Sequence, residues 1–219
     1  PNAGLPRSEG GRTVYDIGPD EFEQAMEEIL DMGISVAGGC CGTTPGHIRR
    51  LNRLRAGRRQ KLPQEKQSTV ITSYAAAVEI GDDPVIIGER INPTGKSKFK
   101  QALRDHDLEF ILREGISQQE RGAHVLDVNV GLPEIDEPSM MAEVIRELQG
   151  ITELPLQIDT SNTEAMARAM RVYNGKPLLN SVNGKQEVMD AVFPLVKRYG
   201  AVVVALTLDE SGIPETADG

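Results

Sequence analysis

Positive charge, aromatic rings and cysteine are all in short supply in this chain, and each shortage narrows what it can be. Lys and Arg number 24 against 33 Asp and Glu, giving a formal net charge of −9 over 219 residues. A protein that tracks a phosphate backbone needs a basic stripe, so nucleic acid is not expected as a partner. No stretch reaches the roughly 18 consecutive apolar residues that a membrane helix requires, and the first residues carry no apolar signal region. A cytoplasmic protein with no membrane partner is expected. Cysteine occurs only twice, at Cys40 and Cys41, which is no disulfide framework. The remaining composition, 39% hydrophobic, 26% charged and 4% aromatic, is ordinary for a soluble globular protein of one or two domains.

The chain changes character twice. Residues 1–22 are rich in Gly and Pro and read as loop. The segment GPDEFEQAMEEILDMG predicts a helix from Pro19 or Asp20 to a stop at Gly33, with Phe22, Met26, Ile29 and Leu30 as its apolar stripe. ISVAGG (34–39) predicts a short strand, and TPGHIRRLNRL a helix with a Thr cap and an early Pro. Residues 55–81, basic and polar at their start, read as a linker. From residue 82 five β-rich runs follow: VIIGER, HVLDVNV, PLQIDTS, PLLNSVN and AVVVALTLDE. Helical segments of 10 to 16 residues separate them, which means βαβ units and a parallel sheet, each strand apolar on both faces. Polar residues collect at the strand ends: Glu89, Asp127, Asn129, Asp159, Asn180 and Asp209. Polar ends on every strand favour a (β/α)₈ barrel, whose site lies on that face, over a doubly wound sheet with one switch point. A complete barrel takes about 250 residues. The expectation is therefore a fragment: residues 1–54 as the last βα units of one barrel, 55–81 as linker, and 82–219 as about five βα units of a second.

The adjacent cysteines, in GGCCGTTPGH, admit three readings: a strained vicinal disulfide, buried inert thiols, or two ligands of one metal. Glycines on both sides let successive thiolates converge, and soft thiolates suit Zn²⁺. A catalytic zinc needs three protein ligands, and only Cys40 and Cys41 are visible; His47, within the following helix, is not expected to reach. His106 and His124 read as structural, and Met140, Met141, Met166 and Met170 as core.

Two sets of motifs carry a resemblance. PNAGLP with GGCCGTTPGHIRRL resembles the homocysteine-binding zinc barrel of the cobalamin-dependent methionine synthase family, near that barrel's end. GERINPTGK, LDVNVG, IDTS, NSVNG and LTLDESGIP, in that order, resemble the methyltetrahydrofolate-binding barrel that follows it. The second set alone would also fit the folate methyltransferase that serves a corrinoid iron–sulfur protein, and dihydropteroate synthase is a more distant relative. The resemblance covers nearly the whole chain outside the linker. It implies a methyltransferase that moves a methyl group from 5-methyltetrahydrofolate by way of cobalamin, held on a domain outside this chain, to homocysteine. It implies that Cys40 and Cys41 are the second and third zinc ligands, the first lying upstream of Pro1. Gly46 stands where the family usually has an acidic residue.

The resemblance also assigns the pterin contacts. Asp159 would accept from the N–H and amino group on one pterin edge, and Asn180 would sit near N5. Asn92, with Pro93 and Thr94, matches the first-strand contact, and Glu89 lies beside it. Asp127 and Asn129 complete the floor, as contacts or as their support. The plainer alternative is that these Asp and Asn residues cap helices at strand–helix turns. Rival functions are a condensing enzyme of the dihydropteroate synthase type, which should lack the cysteine loop, and a non-catalytic folate-binding module. The isolated chain is expected to turn over neither substrate and, with open strand edges, to self-associate.

Overall fold

In a computed structural model the described residues are 1–59 and 67–216. They divide into two units, Pro1–Glu65 and Lys66–Gly219.

The first unit opens with a small antiparallel hairpin, β1 (Arg7–Glu9) and β2 (Arg12–Val14), where a loop was expected. Its two-residue turn is Gly10–Gly11, both at positive φ (57° and 77°), the geometry that only glycine adopts freely in a tight hairpin. Helix α1 (Pro19–Asp31) follows, with Pro at its start and Asp20 and Glu21 in its first turn. Its buried residues, Phe22 and Met26, pack on Leu51 of α2 (Pro45–Arg55), with Ile29 and Leu30 at the margin. The predicted strand at 34–39 does not form. A strand needs a ladder partner, and none stands beside it among the described residues; Ile34 and Val36 are left exposed.

The second unit begins earlier than expected. Within the predicted 55–81 linker, β3 (Thr69–Thr72) and β4 (Ala77–Ile80) pair as an antiparallel hairpin; the stretch at 60–66 lies outside the described residues. Four βα units and a fifth strand follow: β5 (Ile87–Ile91), α3 (Ser97–Arg104), α4 (Leu108–Glu120), β6 (Val125–Val128), α5 (Glu137–Ile151), β7 (Leu156–Asp159), α6 (Thr163–Val172), β8 (Leu178–Asn183), α7 (Gln186–Tyr199) and β9 (Val202–Leu206). All strands are parallel and stand in the order β5-β6-β7-β8-β9. Sequential order without reversal leaves no switch point, so the winding is that of a (β/α)₈ barrel, here five strands of it.

Alternation sorts the side chains. Leu126 and Val128 of β6, Leu156 and Ile158 of β7, and Leu179 of β8 join the helices in the large outer core with Met140, Met141, Met166 and Met170. Val125, Leu178, Val202 and Val204 face the other way, into a separate cluster that contains Ile71 and Val78 of the hairpin. The hairpin thus plugs the N-terminal end of the strands. Two ties hold it there: Thr72 pairs with Lys176, and the Tyr173 hydroxyl donates to the Thr72 carbonyl at 2.8 Å while accepting from Leu156 N–H at 3.0 Å. Ile71 is fully buried. Ile71→Val, which removes one methyl from that plug, is expected to lower stability by about 1 kcal/mol, read as a urea midpoint shift at constant slope.

Candidate functional site

Above the apolar plug the inward face turns polar, contrary to the reading of these strands as apolar on both faces. Asp127 and Gln157 are register partners on β6 and β7, and Asp159 and Asn180 are partners one layer further along on β7 and β8. The Gln157 side-chain amide donates to Asp127 Oδ1. Asn129 Nδ2 donates to Asp159 Oδ2 at 2.9 Å, and Asn129 Oδ1 accepts from Gly131 N–H at 2.8 Å, so both ends of that amide are fixed. Asn129, Asp159, Asn180, Ser181 and Asn183 line a cavity of about 510 Å³ between the strand ends and the first turns of α6 and α7. That is the size of a small-molecule pocket.

The acids feel one another. Burial pushes the Asp127 carboxyl up to about 7; the Gln157 hydrogen bond opposes that, and the charges of Asp159 and Glu89 add to it. Burial also raises Asp159, opposed by the Asn129 hydrogen bond and reinforced by Glu89 and Glu137. Glu89 itself is exposed, and Lys96 reaches its carbonyl oxygen at 3.0 Å and its carboxylate at 3.2 Å. Asn92 is buried and turned to the backbone, its Oδ1 accepting from Thr94 N–H at 2.8 Å; Pro93 beside it is buried and Thr94 exposed. Asp107, Asp136 and Asn162 cap α4, α5 and α6, α3 and α7 start at Lys96 and Lys185, and none of Asp127, Asn129, Asp159 or Asn180 serves as a helix cap. Two neighbours were not anticipated. Glu137 accepts from Thr160 Oγ1 next to Asp159, and Gln157 lies in the strand two residues before it. Position two residues from a lumen-facing Asp was the signal for Gln157.

In the first unit Cys40 and Cys41 are free and exposed, neither a disulfide nor buried thiols. Their sulfurs stand 3.8 Å apart. Two thiolates held at ~2.3 Å by a tetrahedral zinc are separated by about 3.8 Å, so the pair fits two corners of such a site. The loop is pinned: Cys40 N–H donates to the Pro1 carbonyl at 2.9 Å, Ala3 N–H to the Cys41 carbonyl at 3.0 Å, and Thr43 Oγ1 to the Cys40 carbonyl at 2.6 Å. Gly42, at φ 79°, lies under the Tyr15 ring, which occupies the space any side chain there would need. His47 is committed elsewhere, with Nδ1 accepting from Thr44 N–H at 3.1 Å and Nε2 at 2.9 Å from the Ile17 carbonyl. Among the described residues no third Cys, His, Asp or Glu joins the two thiols. His106 pairs with Glu143 and His124 accepts from Ile86 N–H, both away from the polar strand ends.

Residues 88–218 match the sequence profile of pterin-binding enzymes. The chain belongs to the pterin-binding enzyme family. The first 54 residues of this family member match a second profile, that of homocysteine S-methyltransferases. Over 225 residues it is 33% identical to the methionine synthase of Mycobacterium tuberculosis, covering 99% of this chain and 19% of that protein. The methionine synthase of Mycobacterium leprae is 31% identical over 233 residues, covering 100% of this chain and 19% of the relative. The chain therefore spans about a fifth of the length of these relatives. Among solved structures, Xanthomonas albilineans dihydropteroate synthase with 4-aminobenzoic acid aligns with a TM-score of 0.48 at 21% identity, over 69% of this chain and 56% of that one.

Proposed function

We propose that this chain carries parts of two substrate sites of a methionine synthase: a methyltetrahydrofolate pocket in the second unit and a homocysteine-activating thiolate pair in the first. The observation that carries the proposal is the register pair Asp159–Asn180 at the mouth of a small-molecule cavity. One Asp159 oxygen is engaged by Asn129, and the carboxylate faces the cavity with acceptor capacity to spare. A pterin edge offers an N–H and an amino group side by side, and a carboxylate accepts both. Asn180 supplies an amide that donates or accepts as the ring nitrogen N5 changes protonation. Protonating N5 turns the tertiary amine into a neutral leaving group, so the pocket needs to supply orientation and a held proton, not a strong acid. The methyl acceptor is cobalamin, carried in enzymes of this kind by another part of the protein.

Cys40 and Cys41 supply two thiolates for a zinc whose third protein ligand comes from outside these residues. When bound, the zinc keeps a substrate thiol deprotonated near neutral pH. A cytoplasmic location fits this chemistry.

Both halves are tested on the purified chain. Equilibrium dialysis should show 5-methyltetrahydrofolate bound by the wild type. Titration with Co²⁺ should give thiolate-to-metal charge-transfer absorption that disappears in Cys40→Ser/Cys41→Ser without loss of folate binding. Absence of folate binding by a folded chain would sink the pterin reading, and unchanged Co²⁺ spectra in the double variant would sink the thiolate reading.

A further inference from the structure

Gln157 is buried on the inward face of the five strands, where its side chain's one hydrogen-bond partner among the described residues is Asp127. The pair is held by the β6–β7 ladder, in which these two residues stand directly opposite. Below them the lumen is apolar, with Val125 and Leu178; beyond them it opens to Asp159 and Asn180. The charged and titratable groups that face Asp127 are Glu89 of β5, Asp159 of β7 and Lys96 from the loop after β5.

We propose that Gln157 is a positioning residue of the pterin pocket: its amide keeps Asp127 fixed in place whether that carboxyl carries its proton or not. A primary amide is suited to this. Its N–H donates to a carboxylate, and turned over, its oxygen accepts from a carboxylic acid. A Lys or Arg at 157 would serve only the charged form, and an apolar side chain neither. Among the described residues no buried polar side-chain atom lacks a partner, so the second Asp127 oxygen keeps access to the open lumen. Asp127 thereby presents one defined oxygen to a ligand and exchanges its proton there. The ligand part of this inference rests on the pterin reading; the Gln157–Asp127 coupling does not.

The test is ¹³C NMR of the aspartate carboxyls in the 219-residue chain, with the Asp127 signal assigned by its loss in Asp127→Asn. In Gln157→Met, which keeps the volume and removes the amide, the Asp127 midpoint should rise by about one pH unit, because the bond to the charged form is worth more than the bond to the acid. The pH profile of 5-methyltetrahydrofolate binding, by equilibrium dialysis, should move with it. If Gln157→Met does not fold, Gln157→Asn, which withdraws the amide by one carbon, carries the same comparison. An unmoved Asp127 midpoint in a folded variant, or weaker binding by the same factor at every pH, overturns the proposal. A moved midpoint in a chain that binds no folate at any pH supports the coupling and removes the pterin reading instead.

Discussion

Asp159→Asn should weaken 5-methyltetrahydrofolate binding by more than about a hundredfold while leaving the fold intact. Asn129 decides the outcome. Its oxygen is held by Gly131 N–H, so it cannot turn over, and its N–H must find an oxygen on residue 159. An asparagine at 159 would therefore direct its own oxygen to Asn129 and its NH₂ into the cavity. There it would meet the N–H and amino donors of the pterin edge, donor against donor. The ligand loses charge-assisted hydrogen bonds and leaves polar groups unpaired, together about 3 kcal/mol or more. At about 1.4 kcal/mol per tenfold, that is upwards of a hundredfold in Kd. Equilibrium dialysis measures it, with circular dichroism as the control for folding. A loss of less than tenfold would mean that another group reads the ligand's edge.

Asp127→Asn should stabilise the chain, and only at the alkaline end. In the folded protein burial lifts the Asp127 carboxyl from 3.8 to about 7. Below about pH 3 the group is protonated in folded and unfolded chains alike, and its contribution is fully favourable. As pH rises from 4 to 7 the unfolded chain gives up the proton and the folded chain keeps it, so stability is progressively lost. Above pH 7 the loss is complete, at about 4 kcal/mol for a change of this size. Asparagine never ionises and still offers an oxygen to the Gln157 amide. The variant and the wild type should unfold at nearly the same urea concentration at about pH 3, diverge up to about pH 7 and run parallel above it. Parallel curves at every pH would place the Asp127 charge in contact with solvent.

The sheet and its winding were legible because each strand leads to a polar residue and a helix of ordinary length lies in every connection, although α3, a second helix between β5 and β6, was not expected. Asp127, Asn129, Asp159 and Asn180 were legible for the same reason. Gln157 was not, because in PLQIDTS it reads as an interruption of an apolar run. Its place two residues before Asp159 puts it on the lumen face, but its partner stands on a different strand 30 residues away. The hairpin at Thr69–Thr72 and Ala77–Ile80 was hidden by its surroundings. A basic, polar stretch precedes it, and its strands are four residues each, too short for alternation to stand out. The burial of Ile71 against Val125 and Leu178 reveals that it packs against the five-stranded sheet. ISVAGG erred in the opposite direction: its residues suit a strand, but a strand is a property of two segments and local preference cannot supply the second.

The plug at the foot of the strands has a consequence for traffic. With Ile71 and Val78 packed across the foot of the strands, the face that carries Asp127 and Gln157 is closed below and leads up to Asp159 and Asn180. A ligand that docks there cannot pass the hairpin. Its reactive end must stay near the rim if a second, bulkier molecule is ever to touch it.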